Sequence, residues 1–368
     1  MTEIVFQRLL ALVNSALWDK KTDEKLFAGM DDKMWDDLYH FAVRHGVMAI
    51  AFDGVKRLPS DLQPYFKLRM TWGLGLEHIE QKYAHIMDVS VDLTTMFQKE
   101  QINMLILKGL SIANYYPVPA RREFGDIDIY LFGDHKKGDL LMSKAGARKK
   151  NCHSYKHSSY YYKNVMIENH AYFLNVRDTR NISNLNQILL DILNQNEKSL
   201  KPQENGLLFP PSDFTALFLI IHAIRHLSKG ALPLRTFCDW VLFLQVHAAE
   251  LDTGRWKKTL QDAGILEISE VLTTLAFRWI GSSSETPFPV ESHADMENRI
   301  SKEMLQPLHS CKNMTRLQIF FYKCKRFHID YKRHMLFYGG NPFTYYLRSV
   351  LSSSISHIRH PETIFKTI

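Results

Sequence analysis

The sequence predicts an α+β fold: a small mixed β-sheet held between N-terminal and C-terminal helical regions. Three observations predict it. Apolar residues across 1–100 recur at gaps of three and four, the repeat of a helix face. At Ile102 the pattern changes to short apolar runs and period-two alternation, the signature of strands. After Asn181 the helical repeat returns. These changes divide the chain into a helical region over 1–100, a mixed α/β core over 101–180, a helical region over 181–280 that completes a cleft, and a basic helical tail over 290–368. The 368 residues suit about two domains. With 45% hydrophobic and 23% charged residues, the composition is that of a globular protein and excludes extensive disorder.

In the first region Leu9, Leu10, Val13 and Leu17 share one helix face. Trp35, Leu38, Ala42 and Val43 open a second helix that reads on through Met48, Ile50 and Ala51. Residues 62–101 form a long helical stretch carrying Met70, Leu74, Ile79, Tyr83, Ile86, Met87, Val91 and Leu93, with Gly73 and Gly75 as points of bending. In the core, 103–108 is a short buried strand closed by Gly109, a turn and a short helix, and Pro117 and Pro119 mark a loop. Residues 124–132 alternate, with Asp126, Asp128 and Tyr130 on one face and Ile127, Ile129 and Leu131 on the other. A helix over 136–145 follows, then strand-like stretches over 147–151 and 158–170. In the latter, Met166, Glu168 and His170 oppose Val165 and Ile167. Beyond the core, Leu185, Ile188, Leu189 and Ile192 form a stripe, and Ser212 or Asp213 caps a helix running to about Leu227. Helices over 235–249 and 256–263 follow, and the loop 281–289 marks a subdomain break.

Lys and Arg number 46 against 39 Asp and Glu, a formal charge of +7 that suits anionic substrates. Much of the excess lies over 312–348, where Lys312, Arg316, Lys323, Lys325, Arg326, Lys332, Arg333 and Arg348 interleave with aromatics. That stretch reads as an amphipathic helix with a solvated basic face, and its composition also suits nucleic acid or a membrane surface. The four cysteines, Cys152, Cys238, Cys311 and Cys324, form no C-x-x-C pair. No cationic leader precedes the first apolar stretch, and the longest apolar run, Phe214 to Ile224, is too short to span a membrane. We expect a cytoplasmic protein with free thiols and no transmembrane segment.

The stretch 107–131 carries the chemistry. On a strand, Asp126 and Asp128 point the same way and repel each other unless a cation lies between them. Mg²⁺ takes hard oxygen ligands, commonly one or two carboxylates plus substrate phosphates. Glu168 adds a third carboxylate on a neighbouring strand, beside His170. Three such carboxylates can hold two metal ions, one of them activating an attacking hydroxyl. The Lys108-Gly109 turn offers backbone N–H groups to a phosphate, and Arg122 can bind phosphate oxygens bidentately. His222 and His226 share a helix face at a spacing that suits zinc, yet no Glu follows His222. They line a cleft with Asp239 or are ordinary helix-face histidines. Arg235 and Asp239 are spaced for a helical ion pair, while Asp134 and Asp139 read as solvated.

On these residues the chain resembles the nucleotidyltransferase superfamily of the DNA polymerase β-like fold. Within it, the resemblance is to a bacterial group of uncharacterised nucleotidyltransferases often encoded near polysaccharide biosynthesis genes. The matching residues are Leu107-Lys108-Gly109, Tyr116-Pro117, Arg122, Gly125 to Ile129, and Ile167-Glu168-Asn169-His170. His222, His226, Arg235 and Asp239 fall where that group carries a helical HxxxH and a later Asp, so the resemblance spans roughly residues 30–245. It implies transfer of a nucleoside monophosphate from an NTP to a hydroxyl acceptor, with Mg²⁺ or Mn²⁺ as cofactor. It makes Asp126, Asp128 and Glu168 metal ligands, with Glu168 activating the acceptor. It makes Lys108, Gly109 and Ser111 phosphate contacts, and Arg122, His170, His222, His226 and Asp239 further nucleotide contacts. The acceptor and the base stay open. Two other readings stand beside it: a catalytically silent binder of nucleotides or, through the basic C-terminal region, of nucleic acid; and a metal-dependent glycosyltransferase using Asp-x-Asp. About 100 helical residues precede the Asp-x-Asp, where a glycosyltransferase needs an α/β domain.

Overall fold

The structure is a computed structural model that describes residues 3–150, 155–174, 180–228 and 232–305, with scattered positions from 315 to 351. Four helices open the chain: α1 (Glu3–Trp18), α2 (Asp32–Arg44), α3 (Met48–Val55) and α4 (Phe66–Lys99). α1 buries Val5, Phe6, Leu9, Leu12, Val13 and Leu17 and packs on α3. Gly54 permits that approach, because a Cβ there would run into the Leu12 carbonyl. The run read as one helix from Trp35 to Ala51 is two. Asp31 caps α2 by accepting from the Met34 N–H at 2.7 Å, and Gly46 breaks the path in the left-handed region at φ 64°. α4, by contrast, runs unbroken through Gly73 and Gly75. Its rotation is set by Trp72, whose indole N–H donates to the Met48 carbonyl at 2.9 Å. Leu68, Trp72 and Leu76 therefore face inward, and Met70 and Leu74, expected on the apolar face, stand exposed.

The sheet follows: β1 (Leu105–Ile106), the short helix α5 (Leu110–Ala113), β2 (Asp126–Tyr130), α6 (His135–Lys144), β3 (Arg148–Lys149), β4 (His157–Tyr162) and β5 (Val165–His170). The strand order is β1-β2-β5-β4-β3, with β2 and β5 parallel and every other pair antiparallel. The stretch 158–170, read as one strand, is a hairpin. Lys163 and Asn164 both take positive φ, 47° and 63°, and form the two-residue turn. The turn sets His157 opposite His170 and Ser159 opposite Glu168. Ile127, Ile129, Tyr160, Val165 and Ile167 pack with Ile86, Val89, Leu93 and Phe97 of α4 and Met142 of α6 into one core. Asp139 is not solvated. It accepts from Ser158 Oγ at 2.6 Å and Asn169 Nδ2 at 2.9 Å, tying α6 to β4 and β5.

Six further helices follow among the described residues up to 305: α7 (Arg180–Asn196), α8 (Ser212–Ser228), α9 (Leu234–His247), α10 (Thr253–Asp262), α11 (Leu266–Ile280) and α12 (Ala294–Leu305). They build a second, larger core with α1, α2 and α3. Between α7 and α8 the chain returns to the sheet, where Ile106 N–H donates to the Leu208 carbonyl at 3.0 Å beside β1. Across the loop 281–289, α12 buries Ile300 and Met304, and Arg278 of α11 pairs with its Glu297 at 2.6 Å. Among the described residues no helix is long and apolar enough to cross a membrane. Cys238 is a free, buried thiol. Cys152, Cys311, Cys324 and nearly all of the basic stretch 312–348 lie outside the described residues.

Candidate active site

The parallel pairing of β2 with β5 sets Asp128 beside Glu168 and Tyr130 beside His170. Period two then sends Asp126, Asp128, Glu168 and His170 to the sheet face opposite the isoleucines. Each of the three carboxylates places an oxygen within 4.8 Å of the other two. Asp128 is 2% exposed, whereas Asp126 and Glu168 are half-buried. Bringing three acids together out of water is unfavourable unless positive charge joins them. Lys108, at the end of the β1 segment, supplies it: Nζ lies 2.7 Å from Asp128 Oδ2 and 3.6 Å from Asp126 Oδ2. His170 completes the set, with Nε2 2.9 Å from Asp128 Oδ1 and Nδ1 3.3 Å from the Tyr172 carbonyl.

These contacts split the acids electrostatically. Burial alone would push the Asp128 carboxyl up. The Lys108 ammonium and the His170 hydrogen bond outweigh it and hold Asp128 well below the usual carboxylate range. Glu168 goes the other way, raised by burial and by the negative charge of Asp128. Burial opposes the charge on Lys108, yet Asp128 and Asp126 keep its ammonium firmly protonated.

Gly109 turns the chain away from Lys108 at φ 74°, where a Cβ would press on the Phe124 ring at 3.3 Å. Ser111, two residues on in α5, is buried, and its hydroxyl has no hydrogen-bond partner. On α8, His222 and His226 bring their Nε2 atoms to 2.9 Å. Burial drives His222 well below its ordinary value, and the nearby Lys108 charge adds to that. The His222 imidazole is therefore neutral and borders the carboxylate site. The His/Asp/Glu clusters able to hold a metal among the described residues do not include His222 or His226.

Arg122 and Asp239 lie together in a different arrangement from the one expected of phosphate and nucleotide contacts. Arg122 forks onto Asp239, Nε to Oδ1 at 2.8 Å and Nη2 to Oδ2 at 2.7 Å, and both residues are buried. Tyr116 donates its hydroxyl to the same carboxylate at 2.6 Å. The expected Arg235–Asp239 pair gives way to this fork, and Arg235 instead donates to the Glu123 carbonyl. His157, which the sequence did not single out, stands at the site with Nε2 3.7 Å from Glu168 Oε1. Burial and the neighbouring His170 and Lys156 push its imidazole down to about 4. The signal that could have found it is the Lys163-Asn164 turn, since folding the hairpin there places His157 across from His170.

With this geometry in view, one comparison is decisive: residues 31–281 match the uncharacterised nucleotidyltransferase family. The chain belongs to that family. The matched span takes in the whole sheet and every helix from α2 to α11, and so every site residue named above. No curated protein and no solved structure matches the chain. Membership makes this nucleotidyltransferase an enzyme that moves nucleotidyl groups and implies an NTP as the donor.

Proposed function

We propose that this nucleotidyltransferase moves a nucleoside monophosphate from an NTP to a hydroxyl acceptor, with Mg²⁺ or Mn²⁺ as cofactor. The observation that carries the reading is the convergence of Asp126, Asp128 and Glu168 from two parallel strands. The donor set fits a divalent ion: three carboxylates of hard oxygen character lie within 4.8 Å of one another, and two of them already face a positive charge, the Lys108 ammonium. Asp126, Asp128 and Glu168 would hold the ion. When bound, it neutralises triphosphate charge and makes a neighbouring hydroxyl more acidic.

The chain's own residues account for the remaining steps. Lys108 is placed to pair with a phosphate oxygen in exchange for Asp128, and the unpaired Ser111 hydroxyl is free to donate to the same group. Glu168, raised by burial and by Asp128, is suited to take the acceptor's proton. The acceptor oxygen forms its bond to the α-phosphorus, the α–β bridging bond breaks, and pyrophosphate leaves with that bond's electrons. Neutral His222, with His226, forms a wall of the nucleotide cleft. Arg122 and Asp239 act as a brace that ties α9 to the loop before β2, behind the reacting groups.

The test separates nucleotidyl from phosphoryl transfer. The full chain is incubated with a cell extract and an NTP labelled at either the α- or the γ-phosphate. Label should pass to acceptor material from the α-position alone, and both Asp126→Asn and Glu168→Gln should abolish it. Transfer from the γ-position, or α-transfer indifferent to both substitutions, overturns the proposal.

A further inference from the structure

His157 is an unusual half-buried histidine. Its side chain is 13% exposed, its Nδ1 has no hydrogen-bond partner, and its Nε2 stops 3.7 Å from Glu168 Oε1, beyond hydrogen-bond reach. Burying an imidazole nitrogen without a partner is unfavourable. Across the hairpin, His170 Nε2 stands 3.8 Å from the other Glu168 oxygen, Oε2. Glu168 thus turns one oxygen towards each imidazole. The ring centroids are 5.1 Å apart, and the register of β4 on β5 fixes the two residues opposite each other. One ligand atom from each of His157, Glu168 and His170 falls within 4.8 Å of the other two.

Those spacings are too long for hydrogen bonds and close to what a shared ion requires. Donors about 2.0–2.2 Å from a tetrahedral ion lie about 3.4 Å apart, a few tenths of an ångström inside the two gaps from the imidazoles to the Glu168 oxygens. The donor set also differs in kind from the neighbouring one. Asp126, Asp128 and Glu168 offer oxygen alone, which suits Mg²⁺. Two imidazoles and a carboxylate favour later first-row ions, whose affinity for nitrogen rises along the series. The geometry points to a second cation subsite, formed by His157, Glu168 and His170, that binds a borderline divalent ion of the Zn²⁺ and Co²⁺ class. Taking up the ion, His170 gives up its bond to Asp128, which keeps Lys108 as its counterion. Glu168 is common to both sides. The subsite goes beyond the nucleotide reading and stands without it, because neither Asp126 nor an NTP contributes a ligand.

Cobalt provides the readout, since Co²⁺ bound by imidazole at low coordination number absorbs in the visible. The full chain, stripped with chelator and held in excess Mg²⁺, is titrated with Co²⁺. One equivalent should develop the ligand-field bands. His157→Gln should weaken binding at least about tenfold, and Asp126→Asn should leave it intact. Because His157 makes no hydrogen bond through either ring nitrogen, the melting temperature of His157→Gln should stay near that of the native chain. A Cu²⁺-loaded native chain should in addition show nitrogen superhyperfine coupling in its paramagnetic resonance spectrum. Absence of cobalt bands or of nitrogen coupling in the native chain overturns the inference. So does cobalt binding that survives His157→Gln and vanishes in Asp126→Asn, which would put the ion among the carboxylates. NTP binding by the Asp126→Asn chain is read separately, so either site can fail while the other stands.

Discussion

At the residue scale, the site depends on one exchange of charge. Asp128 stays ionised while buried because Lys108 and His170 face it from two directions. Removing one partner of a buried pair leaves the other uncompensated, at a cost of about 3–5 kcal/mol. Lys108→Met should therefore destabilise the protein by roughly 3 kcal/mol in denaturant unfolding. Adding Asp128→Asn should recover part of that loss, and a double-mutant cycle measures the coupling. Simple additivity of the two substitutions would show that Lys108 and Asp128 do not act on each other. Asp126 and Asp128 were legible because two residues on a strand necessarily share a face, and Glu168 because the same rule applies on β5. Arg122 and Asp239 were legible only as charges. They are 117 residues apart in the chain, and no local spacing announces that a guanidinium fork will close on a particular carboxylate.

At the scale of the elements, polar contacts lock helices of the larger core to one another. His45, at the end of α2, accepts the Leu234 N–H on Nδ1 at 3.1 Å, while its carbonyl accepts from Arg235. Burial, aided by the charge of Arg44, lowers this imidazole to about 4. The unfolded chain protonates it near 6.5, so below that pH the unfolded state binds more protons than the folded one. Its contribution is complete above about 6.5 and is lost as the pH falls towards 4, amounting to roughly 3 kcal/mol. Urea unfolding at pH 7.5 and pH 4.5 should show that loss in the native chain. It should shrink in His45→Asn, which keeps an acceptor without a titrating ring, and an unchanged loss would refute the assignment. The brace offers a parallel expectation: Arg122→Met should destabilise by about 3–5 kcal/mol, because it strands the buried Asp239 carboxylate. A loss below 1 kcal/mol would mean that the fork does not hold α9 in place. Element types were legible from periodicity, but boundaries followed contacts that periodicity does not carry. Gly46 divided a continuous apolar pattern, and Trp72 chose which apolar residues of α4 face inward.

At the scale of the whole molecule, two cores share one chain. The sheet core joins the strands to α4 and α6, and the helical core gathers α1, α2, α3 and α7 to α12. All six tryptophans fall in helices outside the sheet: Trp18, Trp35, Trp72, Trp240, Trp256 and Trp279. The return of Leu208 to β1, the Arg122–Asp239 fork and the long helix α4 join the two cores. We expect a single cooperative transition in which tryptophan fluorescence and the backbone signal coincide. Separate midpoints would show that the cores unfold independently. Coincidence also lets the tryptophans report on an event at the sheet that none of them touches.

If the β2 and β5 carboxylates form a metal-dependent NTP site, nucleotide and metal together must stabilise the fold. Tryptophan melting curves are recorded with each of the four NTPs, with and without Mg²⁺ or Mn²⁺, for the native chain and for Asp126→Asn/Asp128→Asn. A ligand near 100 times its Kd adds about 2.7 kcal/mol to folding stability, which raises Tm by roughly 3–4 °C in a chain of this size. Such a rise is expected for at least one NTP, only when the metal is present, and none in the double variant. No rise with any NTP, or a rise that the two substitutions leave unchanged, would contradict it.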